Sequence, residues 1–404
     1  MSALLAADDS KEALPRVEAA AFVRDPESLS FLEGYLRESV TGAIHVGAGG
    51  TRQAISFLSK LENPPRILIV DLSGAETPLT EIDRLADVCE PSIVGIAIGD
   101  AENVHLFREL IRSGIADYVT KPLAPDLLDP YVRERKAHIS AASGTVRRGK
   151  LVAFAGSRGG VGATTLAVNA AWLLSHDLKR RVALIDLNLH AGAACVQLGV
   201  EPGGLADALA NHARLDSLFL ERTMVRQSPR LSVLSEETPL HKDIAVPVEA
   251  LDDLLTALSE DFHFILVDLP RSFGALHAHV LSRAKLRVVV ADRTLPALRD
   301  SARLLELARQ TSEPSLLVLN DHHPGLRAVI DDKTIKDALG RGPDLDILYD
   351  RTAAQRGDNL GETLSHGSGP LADAAHALVA SMTGRSQVRR HGWYRRLFAR
   401  RSAR

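Results

Sequence analysis

Residues 150–172 read KLVAFAGSRGGVGATTLAVNAAW, and this stretch constrains the fold of the chain most strongly. A short apolar run is followed by a glycine-rich turn and then by an apolar, helix-forming pattern. Glycines let the backbone turn tightly and aim its N–H groups inward. The N-terminus of the following helix adds partial positive charge, so a strand–loop–helix of this composition favours a phosphate. The candidate nucleotide-binding residues are Arg158, Gly159, Gly160, Val161, Gly162, Ala163, Thr164 and Thr165. Thr164 stands where a hydroxyl would hold Mg²⁺. Loops of this kind carry lysine just before that hydroxyl, and here the position is Ala163. A tight strand–helix turn with no ligand is the competing reading of the glycines. Acidic ends on two later strands, Asp186 and Asp268, weigh against it.

The chain has 404 residues, more than one ordinary domain holds. From about 17 to 135, VEAAAFV, GAIHVG, RILIVDL, IVGIAIG and ADYVTKP read as strands. PESLSFLEGYLRES, TRQAISFLSKLE, EIDRLADVC and ENVHLFRELIRSG read as helices between them. That alternation predicts a five-strand parallel sheet covered on both faces. A second series follows, with KLVAFAG, RVALIDL, LSVLSE, FHFILVDLP, KLRVVVAD and SLLVLND as nearly continuous apolar strands. TTLAVNAAWLLSHDL, PVEALDDLLTALSED and LPALRDSARLLELARQ are its helix candidates. The expected organisation is a flexible leader over 1–15, a first domain over 16–138, a linker over 139–149, a second domain over 150–384 and a basic tail over 385–404. The expected fold class is α/β, with two doubly wound parallel-sheet domains.

Composition excludes several classes. With 45% apolar and 25% charged residues the chain reads as globular. No apolar run approaches the roughly 20 residues of a spanning helix, and the mixed, acidic start is unlike a signal peptide. Cys89 and Cys195 make neither a metal spacing nor a disulfide framework, which fits a reducing cytoplasm.

GSRGGVGATTLAVNAAWLL resembles the deviant Walker A loop of the MinD/ParA family, usually K-G-G-x-G-K-[ST]-T. In that family the first lysine reaches the phosphates of the partner subunit in a dimer that sandwiches ATP, and Arg158 holds that position here. The second lysine is Ala163. Arginine keeps a charge on a longer, planar fork; alanine keeps none, and phosphoryl transfer leans on such cations. The resemblance places Asp186 and Asn188 at the two acidic positions of switch I, where the second helps position the attacking water, and an amide cannot act there as a carboxylate. It places Asp268, ending FILVDLP, at the Walker B acid in the outer Mg²⁺ sphere. It places Asn320, ending LLVLN, against adenine. Thr164, Asp186 and Asp268 are thus the metal candidates, and Arg158, Asp186 and Asn188 stand at the catalytic positions. Implied cofactors are ATP and Mg²⁺, bound weakly, with hydrolysis slow or absent. This combination, loop alanine included, is most similar to the CpaE/TadZ branch, which helps place Flp/Tad pilus machinery at a cell pole.

The first series resembles a response-regulator receiver. Asp71 takes the phosphoacceptor position, Lys121 in DYVTKPL the lysine before proline, and Tyr118 the switch aromatic. The acidic pair that would bind Mg²⁺ is reduced to Val23-Arg24-Asp25-Pro26, with at most one acid, and the hydroxyl ending strand four is Gly99. Transfer to Asp71 then lacks charge neutralisation, so an unphosphorylated interaction domain, with Asp71 paired to Lys121, is expected. CpaE/TadZ proteins also carry such an atypical receiver.

Residues 385–404 hold eight arginines and no acid on a chain of net charge −3, a basic tail on an acidic body. In GWYRRLFARR, Trp393, Tyr394, Leu397 and Phe398 share one side of a helix if one forms, with Arg395 and Arg396 mostly outside it. Such helices lie on anionic membranes; a solvated tail and an acidic or nucleic-acid partner remain alternatives. The expected protein is a homodimer and a partner of pilus or secretion assembly components, peripheral at the inner membrane face or cell pole, with DNA not favoured. An active MinD-like ATPase cycling on a membrane and a signalling protein phosphorylated on Asp71 are the alternatives.

Overall fold

The computed structural model describes residues 17–61, 64–86, 88–91, 93–100, 104–133, 148–242, 246–309, 311–321, 330–350 and 369–383. The chain divides into two compact units, Met1–Arg147 and Arg148–Arg404. The expected leader, most of the expected linker and the arginine-rich tail, with Trp393 to Phe398, lie outside the described residues.

The first unit has five strands: β1 (Val17–Val23), β2 (Ala43–Ala48), β3 (Ile67–Asp71), β4 (Val94–Gly99) and β5 (Asp117–Thr120). They form a parallel sheet in the order β2-β1-β3-β4-β5, the strand order of flavodoxin-like doubly wound folds. The period-2 alternation of strand side chains builds two cores. Ala19, Ala21, Val23, Ile69, Ile96 and Ile98 face Leu32 and Leu36, while Ala20, Phe22, Leu68, Val70 and Ala97 face Leu58, Ile82, Leu85 and Leu110. The helix Pro26–Ser39 starts where its sequence predicts. The Asp25 side chain accepts from the Ser28 N–H and Pro26 occupies the first turn, a cap worth about 1 kcal/mol. The helix expected over 81–89 instead spans Pro78–Ala86. A further helix, Pro125–Val132, escaped the sequence reading because it is short and contains Pro130.

The second unit has eight strands: β6 (Lys150–Gly156), β7 (Val182–Asp186), β8 (Val225–Ser228), β9 (Leu231–Leu234), β10 (Phe264–Asp268), β11 (Leu286–Ala291), β12 (Ser315–Asn320) and β13 (Leu345–Ile347). Their order is β13-β12-β11-β6-β10-β7-β9-β8. The strands read from the sequence pair in parallel as expected; β8, which the sequence reading did not include, adds an edge that runs antiparallel to β9. Only Pro229 and Arg230 separate the two strands, and a two-residue connection can close a hairpin but not a parallel crossover. The central strands are buried on both faces, as their apolar runs require: Ala153, Ile185, Val267, Val289 and Leu319 belong to one core, and Phe154, Leu184, Leu266, Val290 and Val318 to the other. The helix expected over 164–178 is α-helical from Ala163 to Trp172 and continues as a π-helical turn over Leu173–Asp177. Among the described residues no helix is long and apolar enough to cross a membrane.

Candidate nucleotide and magnesium site

Five neighbouring strands, β12, β11, β6, β10 and β7, bring their carboxyl ends to one edge of the second sheet. That edge is where open α/β sheets bind ligands. β6 feeds the glycine loop, and the helix Ala163–Trp172 begins directly after it. Gly160 and Gly162 have φ of 78° and 90°, backbone that side chains seldom adopt. At Gly162 space is short as well: a Cβ would lie 2.7 Å from Asn320 Nδ2. That amide donates to the Val161 carbonyl at 2.9 Å. Asn320, at the adenine position by resemblance, is therefore tied to the loop backbone in this structure.

Two carboxylates face the start of that helix. Asp186 and Asp268 are register partners at the ends of the adjacent strands β7 and β10. Both are buried, at 1% and 3% exposure. The Thr164 hydroxyl donates to Asp268 Oδ2 at 2.5 Å. Asp186 accepts from the Asn188 N–H at 3.0 Å and the Ala194 N–H at 3.2 Å. The turn between them packs tightly, because a Cβ at Gly192 would come within 2.5 Å of Asp186 Oδ2. Burial raises the Asp186 pKa against the pull of those two N–H donors. Burial, with the Asp186 charge beside it, pushes Asp268 up to about 7, although the Thr164 hydroxyl works the other way. The pair thus carries negative charge that no cation among the described residues compensates.

These residues fit a magnesium nucleotide. Among the described residues no three His, Cys, Asp or Glu side chains cluster as a metal set. The donors present are a hydroxyl and two carboxylates, hard oxygen ligands that Mg²⁺ takes alongside water and substrate phosphates. Bound there, Mg²⁺ supplies the positive charge that brings both carboxylates and a phosphate chain together. Thr164 and Asp268 would hold it, with Asp186 beside them, and the loop N–H groups would receive phosphate oxygens.

The other site residues are placed differently. Arg158 turns away from the helix start: its Nε lies 3.4 Å from Asp292 Oδ2 and its Nη1 3.5 Å from Thr294 Oγ1. Asp292 is fully buried, so the guanidinium already has an anion partner. The Asn188 amide donates to the Ala191 carbonyl at 3.0 Å and stiffens the turn after β7. Thr165 Oγ1 accepts from Gln197 Nε2 at 3.3 Å. Ala163 opens the helix and brings no polar side chain. Sequence reasoning missed Asp292, although its signal was legible as one more acid ending a buried strand in VVVAD. It also missed Ser157, whose buried hydroxyl has no hydrogen-bond partner among the described residues, and Arg271, in the loop after β10.

Fold and site define the second unit as an α/β domain with a glycine loop between β6 and the helix that follows it. It resembles domains of the MinD/ParA type. The family model described as an AAA domain matches residues 149–315. The septum site-determining protein MinD of Synechocystis is 27% identical over 222 residues, covering 53% of this chain and 81% of that protein. The crystal structure of a ParA family ATPase from Chlorobium tepidum matches 58% of this chain and 98% of its own, at 23% identity and a TM-score of 0.52, which establishes the shared fold. A pilus assembly protein CpaE from Caulobacter crescentus matches 28% of this chain and 94% of its own at 31% identity, with a TM-score of 0.26, too low to argue from.

The acid pocket of the first unit already holds a cation, one lysine shared by two carboxylates. Asp71, fully buried at the end of β3, accepts from Lys121 Nζ at 2.7 Å, the Arg24 N–H at 2.9 Å and the Ser73 N–H at 2.8 Å. Lys121 also lies 2.6 Å from Asp25. The structure thus brings together Asp71, Lys121 and the one acid left after β1. Burial alone would raise the Asp71 pKa, but the bonds from Lys121, Ser73 and Arg24 outweigh it and hold the carboxyl below its ordinary value. The Lys121 bond holds Asp25 down at about 2. The Arg24 guanidinium donates to the Ser73 carbonyl at 2.5 Å. At the fourth strand end, a Cβ on Gly99 would run into the Tyr118 hydroxyl and lie 2.8 Å from its Cζ, so the tyrosine fills the room a hydroxyl residue would use there.

Proposed function

We infer that this protein is a nucleotide-binding localisation and assembly factor of the CpaE/TadZ type, serving Flp/Tad pilus or related secretion machinery. In this reading it binds ATP with Mg²⁺ weakly, dimerises around it and turns it over slowly or not at all. One observation carries the reading. The Thr164 hydroxyl donates to Asp268, the register partner of Asp186, a donor set that suits magnesium, while the adjoining loop position that would carry a lysine is Ala163. Binding parts are kept where a part for charge development in phosphoryl transfer is missing. The first unit supports it with Asp71 held by Lys121, the state of an interaction domain. The basic tail over 385–404 would hold the protein at the inner membrane face or a cell pole.

Titration of ATP into the full chain with and without Mg²⁺, read together with particle mass, tests this. Mg²⁺-dependent binding with a shift to dimer mass is expected, with little phosphate release. Turnover that Asp268→Ala abolishes would replace this reading with a working MinD-like ATPase. An unchanged polar or envelope position of a fluorescent fusion lacking residues 388–404 would remove the tail from the account.

A further inference from the structure

The loop binds phosphate in the reading above without its lysine, and Arg158 is engaged by Asp292. Another cation stands at the loop. Arg271 lies three residues beyond Asp268, in the connection from β10 to the helix Ala275–Arg283. Its guanidinium occupies the space a side chain at Gly159 would fill: a Cβ there would lie 2.5 Å from Arg271 Nε and 2.6 Å from its Nη1. The arginine is exposed. Arg158, Arg283, Arg287 and Arg293 of the same unit each have hydrogen-bond partners, but Arg271 has neither a hydrogen bond nor an ion pair with a described residue.

We propose that Arg271 is the phosphate-binding cation of this loop, taking the charge role that Ala163 leaves open. Three observations meet on it. The loop offers N–H groups and a helix N-terminus but no lysine. The cation inherited in sequence, Arg158, is bound to a buried aspartate. Arg271 lies against the loop glycine with its donors unspent, on the same strand end as the carboxylate that would hold the metal. A planar guanidinium suits phosphate oxygens, which it bonds in pairs. The ligand class is the di- or triphosphate chain of a nucleotide, and Gly159 is needed so that the guanidinium can lie flat on the loop. The inference rests on the nucleotide reading of the site.

Calorimetric titration of the full chain with Mg²⁺ and either ATP or adenosine separates this proposal from that reading. Wild-type protein should bind ATP more tightly than adenosine. Arg271→Ala should lose about tenfold or more in ATP affinity, the scale of a lost charge-assisted hydrogen bond. Its adenosine affinity and its thermal midpoint should hold, since the side chain supports nothing else. Arg271→Lys should recover part of the loss, and Arg158→Ala should cost less than Arg271→Ala. ATP binding by Arg271→Ala within twofold of wild type overturns the proposal and leaves the nucleotide reading standing, as does an equal loss for adenosine. Wild-type protein that binds no ATP at millimolar concentration overturns both.

Discussion

Replacing Asp268 by asparagine should stabilise the metal-free protein at alkaline pH. The carboxyl is 3% exposed and titrates near 7, against an ordinary value of 3.8. In the unfolded chain it ionises at that ordinary value. Between pH 3.8 and 7 the folded state therefore holds a proton that the unfolded state has released, and stability falls as pH rises through that window. Above it the penalty is complete. About three units at ~1.4 kcal/mol each give about 4 kcal/mol. The amide of the Asp268→Asn variant would keep the shape and still accept from Thr164, but carries no charge. Urea unfolding in EDTA from pH 5 to 8.5 checks this. Tryptophan fluorescence reports the second unit through Trp172, which packs against its core. The wild type should weaken steadily toward pH 8, and the variant should stay nearly level. The gap should close when Mg²⁺ is added, since only the wild type gains from the ion. A wild-type profile flat from pH 5 to 8 in EDTA, or a variant weaker than wild type at pH 8, would refute the electrostatic account.

Gly162→Ala should distort the loop, since the position has φ of 90° and a Cβ would press on the Asn320 amide; nucleotide titration should show weakened binding with the fold retained by circular dichroism. Lys121→Met should destabilise the first unit by roughly 3–5 kcal/mol at pH 7, the cost of stranding the buried Asp71 charge. Denaturation at falling pH should show that loss shrinking once Asp71 is protonated. Gly99→Ser should cost about 1–3 kcal/mol by crowding Tyr118, and a double-mutant cycle with Tyr118→Ala should show the two sites coupled. Incubation with a small acyl phosphate and Mg²⁺ should leave Asp71 unmodified, which intact-mass measurement reads directly.

The central strands and the longer helices were legible because their residues obey one period throughout. β1 spans VEAAAFV and the helix Pro26–Ser39 spans PESLSFLEGYLRES, both as read from the sequence. What escaped was short or set by partners far along the chain. β13 has three residues, too few to show alternation. β8 reads VRQS, with little apolar content, and earns its place by pairing with β9. At the site, the glycines, Thr164 and the acids ending β7 and β10 were readable, because strand ends and loop glycines are local features. The direction of Arg158 was not, since it depends on Asp292, 134 positions later by residue number. Arg271 carried no local signal at all; only the packing of its loop onto Gly159 makes it part of the site.

The two units present buried aspartates at strand ends in opposite electrostatic states. Asp71 has a lysine within 2.7 Å and its pKa is lowered, so a divalent ion arriving there would compete with a cation already covalently attached to the fold. Asp186 and Asp268 have no such partner among the described residues, and both are raised. The second pocket gains more free energy by acquiring a cation, because no cation among the described residues stands beside its two carboxylates, whereas in the first Lys121 already lies within 2.7 Å of both Asp71 and Asp25. Mg²⁺ alone should therefore raise the unfolding midpoint of the second unit by more than that of the first. A metal response confined to the first unit would mean that Lys121 leaves Asp71 easily, and the electrostatic ranking of the two pockets would have to be reversed.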